Sequence, residues 1–568
     1  MIYDFCIIGA GQSGLVTCKT FSEKTQNIIV LEKDTSNGMF SSVKEKNLFY
    51  WSTSRFMSGF SDFPMNKNIP VWFTIQQYVN YLNSYKKHFD LEKFIQYKSF
   101  VTKCMQNENQ DWTIMYNTNQ QIICKKLIVC SGLNQIPKYP DIIKNFTGEI
   151  IHTKQIYTDM NQEDWKQKFS NKKILLLGGG ESAFDIGHLL TKYTNQLYYS
   201  SKDYIEWFYT GAETPTNVER AKKIKNKCFQ YHKNMDFLNY PTDTLLVYPE
   251  YSLPEPMSNF WHNYGRRMLK PYRNCGNCSH NNKKLCSINK TPENLFKKYV
   301  VKRTDFLLDM FENKVKVIYY PKKIENQTIY TKKEIIQNVD IIVCASGYKK
   351  QFPFLEPKVY QGEFIKKMIP YNTSNIAFIG FARPTMGSIA AIAEVQSWWV
   401  QDYFNHTLKY KIRKPIFRNI DPLNLSNDNI DTIVIGCYYL KDLAKDMNLL
   451  NNMFCLFFTD FQLFTTIYTN SCHPMVYRLT GQRSFPQARN IVIDTFPKLK
   501  DRDTLSKLYI LLHIVYHIIF ILFCFAVSYL LYFIIYQISF RNTKKKTSLW
   551  VFFIISFILL AVFYLFFT

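Results

Sequence analysis

The sequence predicts an α/β protein: two nested Rossmann-like dinucleotide-binding units with parallel sheets, followed by a C-terminal transmembrane helical tail. Three observations predict it. A strand, a glycine-rich turn and a helix follow one another at the N-terminus, and the same succession returns at Lys173. Two further apolar strands end on glycine, at residues 127–132 and 341–347. Residues 508–540 carry no Lys, Arg, Asp or Glu.

Phe5-Cys6-Ile7-Ile8 is an apolar run without a polar break, as a strand buried on both faces requires. Gly9-Ala10-Gly11-Gln12-Ser13-Gly14 follows, then a helix over 15–21 and a strand over 27–31 that ends on Glu32. In such a turn Gly9 permits the tight bend, Gly11 lets a pyrophosphate approach the backbone, and Gly14 lets helix and strand pack closely. Ala10, Gln12 and Ser13 complete the loop, and the helix N-terminus attracts phosphate. Glu32 stands where its carboxylate can accept hydrogen bonds from a ribose diol. The same charge repels a 2′-phosphate, so the first site is predicted to hold FAD or NAD, not NADP.

The second succession has a strand over 174–177, the turn Gly178-Gly179-Gly180-Glu181-Ser182-Ala183, a helix over 184–190 and a strand over 196–199. Ala183 takes the place of the third glycine. Ser201 occupies the position that corresponds to Glu32, and Lys202 follows it. A hydroxyl and an ammonium suit a 2′-phosphate, although Asp203 lies close by, so NADPH is favoured over NADH. The expected contacts of this second nucleotide are Gly178, Gly180, Glu181, Ser182, Ala183, Asp185, Ser201 and Lys202. One acid-tipped and one hydroxyl/Lys-tipped site imply hydride passing from NADPH to a flavin.

Several ordered motifs resemble the flavin-containing monooxygenase family, especially its membrane-bound, dimethylaniline monooxygenase-like branch. Phe146-x-Gly148-x-x-x-His152 lies between the two glycine-rich turns, where that family has a signature of this form. Phe60-Ser61-Asp62-Phe63-Pro64, Cys344-Ala345-Ser346-Gly347-Tyr348, Arg383-Pro384, Glu394-Val395-Gln396, Tyr477-Arg478-Leu479-Thr480-Gly481 and Pro486-Gln487-Ala488-Arg489-Asn490 extend the resemblance to about residue 500. The departures are Ile156 where the signature closes on an aromatic, with Tyr157 one residue later, and Gly38-Met39-Phe40 in place of a longer Gly-Gly-Leu-Trp. Ser52 stands where the family often has Asn.

The resemblance implies FAD bound by the first turn with Glu32, Met39, Phe40, Trp51 and Thr53. It places Ser52 near the reactive edge of the flavin, as the catalytic candidate. The implied reaction transfers one oxygen atom of O2 to a soft nitrogen or sulfur of a small molecule through a flavin C4a-hydroperoxide. A Baeyer–Villiger-type monooxygenase or an NADPH oxidase on the same fold, and a membrane-tethered nucleotide-binding protein without turnover, are the alternatives. The expected division is 1–160 and 335–500 for the FAD-binding part with the substrate region, 161–334 for the NADPH-binding part, and 508–568 for an anchor of two spans.

The remaining features exclude more than they assign. Net charge is +25, from 70 Lys+Arg against 45 Asp+Glu, but no compact basic block or nucleic-acid motif accompanies it. No nucleic-acid partner is expected, and the oligomeric state stays open. Cysteines such as Cys6, Cys130 and Cys344 lie inside apolar runs and read as buried free thiols. Cys275, Cys278, His280 and Cys286 match no standard zinc spacing, so no metal is expected, and His513 and His517 read as interfacial histidines. The N-terminus shows no signal-peptide pattern, which places the catalytic part on the cytosolic side of an endoplasmic-reticulum membrane.

Overall fold

The structure, a computed structural model, describes residues 2–202, 215–224, 301, 303–384, 387–408, 433–434, 436–468, 470, 473–496 and scattered positions between 511 and 533. The chain opens with β1 (Ile2–Ile8), α1 (Gln12–Ser22) and β2 (Ile28–Leu31). α2 (Gly38–Ser42), α3 (Arg55–Ser58) and α4 (Ile75–His88) lead to β3 (Ile95–Gln96), β4 (Val101–Gln106), β5 (Trp112–Tyr116) and β6 (Gln120–Val129). These strands form one sheet in the order β3-β2-β1-β6-β5-β4. β1 is central and parallel to β2 and β6, with Ile8 opposite both Leu31 and Val129. That position explains its apolar sequence: a strand flanked on both edges and covered on both faces has no polar side to present.

β6 changes partner along one edge. Its first half pairs antiparallel with β5, and its last three residues pair in parallel with a late strand, Ile376–Phe378. β5 shows the alternation of a hairpin strand, burying Trp112, Ile114 and Tyr116. α4 starts on a capping box between Thr74 and Gln77 and buries Tyr78, Leu82 and Tyr85 along one stripe.

β7 (Ile136–Pro137) leads away from this sheet. β8 (Glu149–His152), α5 (Thr153–Thr158), α6 (Gln162–Phe169), β9 (Lys173–Leu177), α7 (Glu181–Leu190), β10 (Gln196–Ser200) and α8 (Pro215–Lys223) follow, then α9 (Asp305–Phe311) and β11 (Val315–Val317). A small antiparallel meander, β12 (Lys323–Glu325), β13 (Thr328–Tyr330) and β14 (Ile335–Ile336), precedes β15 (Ile341–Cys344). The second sheet runs β11-β10-β9-β15-β8, with every pairing parallel. β16 (Tyr348–Lys349) pairs antiparallel with β7, so the way into the second sheet and the way out of it are hydrogen-bonded to each other. The hairpin β17 (Phe364–Ile365) and β18 (Ile369–Pro370), then β19 (Ile376–Phe378) and α10 (Ile389–Phe404), return the chain to the first sheet.

The α/β class and both strand–turn–helix–strand units are present; most elements extend a residue or a few beyond the apolar run that marks them, while β2 starts one residue later than expected. The expected boundaries at 160/161 and 334/335 put β8 and β15 outside the inserted part. Hydrogen bonding puts both in the second sheet, because β15 is the inner partner of β9 and β8 the outer partner of β15. Among the described residues no helix is long and apolar enough to cross a membrane. The two apolar runs of the tail lie almost wholly outside the described residues, as do Cys275, Cys278, His280, Cys286, His513 and His517. Cys6, Cys130 and Cys344 are buried free thiols.

The motifs Phe60–Pro64, Glu394–Gln396 and Tyr477–Gly481 meet inside the first unit. The Ser61 amide and hydroxyl donate to the buried Glu394 carboxylate, Lys19 and Arg478 both pair with Asp62, and the Arg478 guanidinium lies 4.6 Å from the Phe485 ring. Burial beside Asp62 lifts the Glu394 carboxyl to about 7. Next to this cluster His473 is fully buried. Its Nδ1 accepts from the Met475 amide at 3.3 Å, so its Nε2–H donates to the Gly59 carbonyl at 2.9 Å.

Burial lowers His473 from 6.5 to about 4. The unfolded chain therefore takes up a proton near pH 6.5 that the folded chain refuses until about pH 4. The contribution of this neutral ring to stability is complete above pH 6.5 and is lost as pH falls toward 4, by up to about 3 kcal/mol. His473→Gln keeps an N–H for the Gly59 carbonyl and cannot titrate. Urea midpoints of the two proteins between pH 7.5 and 4.5 should show the wild type losing stability more steeply; parallel curves would remove His473 from this role.

Candidate functional site

The first turn is shaped by what presses on it. Gly9 has φ +101°, and a Cβ there would lie 2.8 Å from the carbonyl oxygen of Cys130, at the end of β6. A Cβ on Gly14 would overlap the Gly9 carbonyl, so α1 sits as close to β1 as backbones allow. Gly380, at the end of β19, closes against the Ser13 side chain. Gly11 is different: a Cβ there would meet only the Gly38 Cα, at 3.9 Å. The one open position of the turn is thus the N-cap of α1, where amides of the first helical turn have no acceptor within the helix.

Glu32 is almost completely buried against this turn. Its Oε2 accepts from the Ala10 amide at 2.7 Å and its Oε1 from the Asp34 amide at 3.0 Å. Burial raises its pKa, and the two amides oppose that rise. Each oxygen keeps a second lone pair for a ligand hydroxyl. Gln12 accepts from the Tyr78 hydroxyl at 2.6 Å, Tyr78 stacks on Trp51 at 4.0 Å, and Phe40 meets the edge of Trp51 at 4.5 Å. Gly11, Gln12, Phe40 and Trp51 are therefore neighbours, with Met39 on the same short helix α2 and half-buried Ser52 and buried Thr53 directly after Trp51. Gly38 has φ +69°, and a Cβ there would come within 2.7 Å of the Gly11 Cα, so the α2 turn needs glycine for the same close approach.

The second turn repeats this geometry. Gly178 has φ +143°, and a Cβ there would overlap the Ala345 carbonyl at the end of β15. Gly180, the N-cap of α7, has nothing within 4 Å of its Cβ position. Ala183 stands fully buried at the place of Gly14. Ser200 pairs with Leu177 as Leu31 pairs with Ile8, and the Gly178 and Gly9 amides donate to Ser200 and Leu31 at 3.0 and 2.8 Å. Ser201 is thus the positional counterpart of Glu32, followed by exposed Lys202. Glu181 and Ser182 open α7. Asp185 lies further along α7 than Glu181, Ser182 and Ala183. One helical turn along α7, its carboxylate is held by the Tyr157 hydroxyl at 3.3 Å and by Arg303 at 3.1 Å. Arg303 carried no motif in the sequence, and only an arginine close before the apolar α9 marks it.

The linker between the sheets is also fixed by residues of the 146–152 signature. A Cβ on Gly148 would come within 2.6 Å of the Asp340 carbonyl and of the Phe146 ring. His152 Nδ1 accepts from the Lys154 amide at 3.1 Å, so its Nε2–H donates to the Gly347 carbonyl at 3.0 Å, between the rings of Tyr139 and Tyr348. Ile156, in the place of the signature's aromatic, is fully buried, and Tyr157 reaches Asp185 instead.

The profile of the flavin-binding monooxygenase-like family matches residues 4–212 and 280–538. Among curated proteins, 4-hydroxybenzoate brominase (decarboxylating) of Marinomonas mediterranea is 28% identical over 410 residues, covering 69% of this chain and 72% of its own. Human flavin-containing monooxygenase 2 is 26% identical over 523 residues, covering 86% and 90%. The chimpanzee relative, dimethylaniline monooxygenase [N-oxide-forming] 2, matches to the same extent. Among solved structures, cyclohexanone monooxygenase bound to ε-caprolactone aligns with a TM-score of 0.56 at 13% identity, over 78% of this chain and 97% of that one. OTEMO in complex with FAD and NADP gives the same TM-score, identity and coverage. At that identity these two speak for the fold.

The two open glycines separate folding from cofactor retention. Gly11→Ala and Gly180→Ala each add a methyl where the protein leaves room, so melting of the apoprotein should shift little. Gly11→Ala should lose most of its flavin, read from the visible absorbance of purified protein. Gly180→Ala should keep its flavin and lose NADPH affinity by about tenfold or more. Stoichiometric flavin in Gly11→Ala, or unchanged NADPH binding in Gly180→Ala, would reassign these turns.

Proposed function

This chain belongs to the flavin-binding monooxygenase-like family, and from that membership we propose that it oxygenates a soft nitrogen or sulfur of a small molecule. It is a monooxygenase that uses FAD, NADPH and O2. When bound, FAD supplies the redox chemistry, taking electrons from NADPH and delivering them to O2, so that one oxygen atom reaches the substrate and the other leaves as water. The observation that supports two bound nucleotides is the pair of turns in which the glycine at the N-cap of a helix, Gly11 or Gly180, faces open space while the first glycine is packed against a strand end. The N-oxide-forming relatives match nearly the whole chain, which supports nitrogen or sulfur as the accepting atom.

The residues of this chain would act as follows. The free amides of α1 hold one pyrophosphate and those of α7 the other. Glu32 accepts from the ribose of FAD. Ser201 and Lys202 donate to the 2′-phosphate of NADPH, where a carboxylate would repel it. Phe40, Trp51 and Tyr78 form an apolar wall beside the first turn and exclude water from the flavin. Ser52, next along the chain, offers one hydrogen bond near the reactive edge, where an amide would offer two.

We also propose that residues 508–568 anchor the protein, with the catalytic part cytosolic at the endoplasmic reticulum. The described tail positions Leu511, Val515, Ile518, Ile519, Leu522, Tyr529, Leu530 and Phe533 are helical, and each is at least 40% exposed. Exposed apolar side chains on a helix call for lipid.

Three experiments test these readings. Purified holoenzyme with NADPH and O2 should convert a tertiary amine or a thioether to its N- or S-oxide. A cyclic ketone turned to its ester, an aromatic acid brominated, or peroxide alone would assign the chain to another activity of this fold. Ser52→Ala should leave flavin reduction by NADPH intact and divert more O2 to peroxide; an unchanged ratio of product to peroxide would move Ser52 away from the reactive edge. In sealed microsomes the catalytic part should be cut by added protease without detergent, and its protection would overturn the cytosolic assignment.

A further inference from the structure

Asp185 and Arg303 occupy a place that neither glycine-rich turn explains. Asp185 is on α7, one turn from the open N-cap at Gly180. Its side chain is only 14% exposed; Oδ2 accepts from the Tyr157 hydroxyl at 3.3 Å, and Oδ1 forms an ion pair with Arg303, 3.1 Å from Nε. Arg303 extends the connection. Its guanidinium reaches Asp305 at 3.6 Å and lies 5.2 Å over the ring of Tyr50, which precedes Trp51 and Ser52 in the chain. A parallel path runs from Phe49, whose ring meets Tyr157 at 4.7 Å and Trp165 at 6.0 Å, while the Lys44 amide donates to the Tyr157 carbonyl at 2.8 Å. Val43 and Phe49 belong to the apolar core of the second sheet, although the chain around them leads to the first nucleotide site.

We propose that Arg303 is a positioning residue for hydride transfer, fixing the second nucleotide site against the first by holding Asp185 of α7 on one side and the Tyr50 ring on the other. The proposal rests on the reading of the two turns as FAD and NADPH sites. Hydride transfer needs donor and acceptor within about 3–3.5 Å, and a displacement of about 1 Å costs on the order of a hundredfold. The two units are also joined by the β7–β16 ribbon, two residues long on each strand, and by apolar packing of Val43, Phe49, Ile75 and Val79 into the core of the second sheet, none of which carries a charge that reaches α7. A guanidinium suits the joint because it pairs in its plane with a carboxylate and stacks through its face on a ring.

Arg303→Met, alone and combined with Asp185→Asn so that no unpaired carboxylate is left inside, tests the pair, and Arg303→Lys tests rescue. Tyr50→Leu removes the ring and leaves the buried pair intact. In stopped-flow reduction of the holoenzyme, Arg303→Met and Tyr50→Leu should lower the limiting rate of flavin reduction by about ten- to a hundredfold. The NADPH dissociation constant should move by less than about threefold, flavin content should not change, and Arg303→Lys should recover part of the rate. Without NADPH, amide exchange measured by mass spectrometry should quicken in both variants at residues 136–139 and 348–349. Wild-type reduction rates, or linker exchange that does not change, would overturn the proposal. If Arg303→Met does not accumulate as folded protein, Tyr50→Leu decides by the same two measurements. A wild-type flavin that NADPH does not reduce would instead refute the assignment of the two turns.

Discussion

The structure depends on how closely a helix can approach the strand before it. In both sheets the strand on the other edge of the first one, β6 or β15, is followed by a carbonyl, from Cys130 or Ala345, at the place where the first glycine of the turn would carry a side chain. In the first sheet the helix also closes down on the turn until Gly14 touches the Gly9 carbonyl. These contacts leave open space at Gly11 and again at Gly180, the N-caps of α1 and α7. Open space at a helix N-terminus is what remains after the sheet and helix have packed. The site follows from the packing and needs no separate loop to form it.

The buried charges of the first unit serve the same end from behind. α1 is held at its far end by Lys19, which reaches Asp62, and Asp62 is held in turn by Arg478. α10 is attached to the same cluster through Glu394 and to the strand end beside Ser13 through Gln396, which accepts from the Gly380 amide at 2.8 Å. The helix that presents amides to one ligand is thus clamped at both ends by groups far apart in sequence. Such a clamp is worth more as geometry than as net stability, because desolvating several charges offsets much of their attraction.

What could be read in the sequence was local. Apolar runs, the glycine spacing and the acid or hydroxyl that follows each unit are set within about thirty residues, and the strand register carries that spacing into space: Glu32 and Ser201 stand one residue beyond paired positions. The ownership of β8 and β15 was not legible, because a parallel strand looks the same whichever sheet accepts it. The meeting of Asp62, Glu394 and Arg478 was visible only as charged residues inside apolar runs, with nothing to say that they pair. The pairing of Asp185 with Arg303 was not legible either, because the two stand far apart in the chain and no motif links them. Residues 203–300 offered no periodicity from which to place elements, and the helix Pro215–Lys223 within them was not foreseen.

The ribbon formed by β7 and β16 also bears on how such a chain could have arisen. Entrance and exit of the second sheet are neighbouring strands, about 5 Å apart. A coding segment inserted at that point need not stretch the host, and its removal would leave two ends that a short turn could rejoin. The backbone crosses between the units at one ribbon, so the second unit can change, lengthen or shed helices away from the faces it packs on the first while the host sheet keeps its own order of strands.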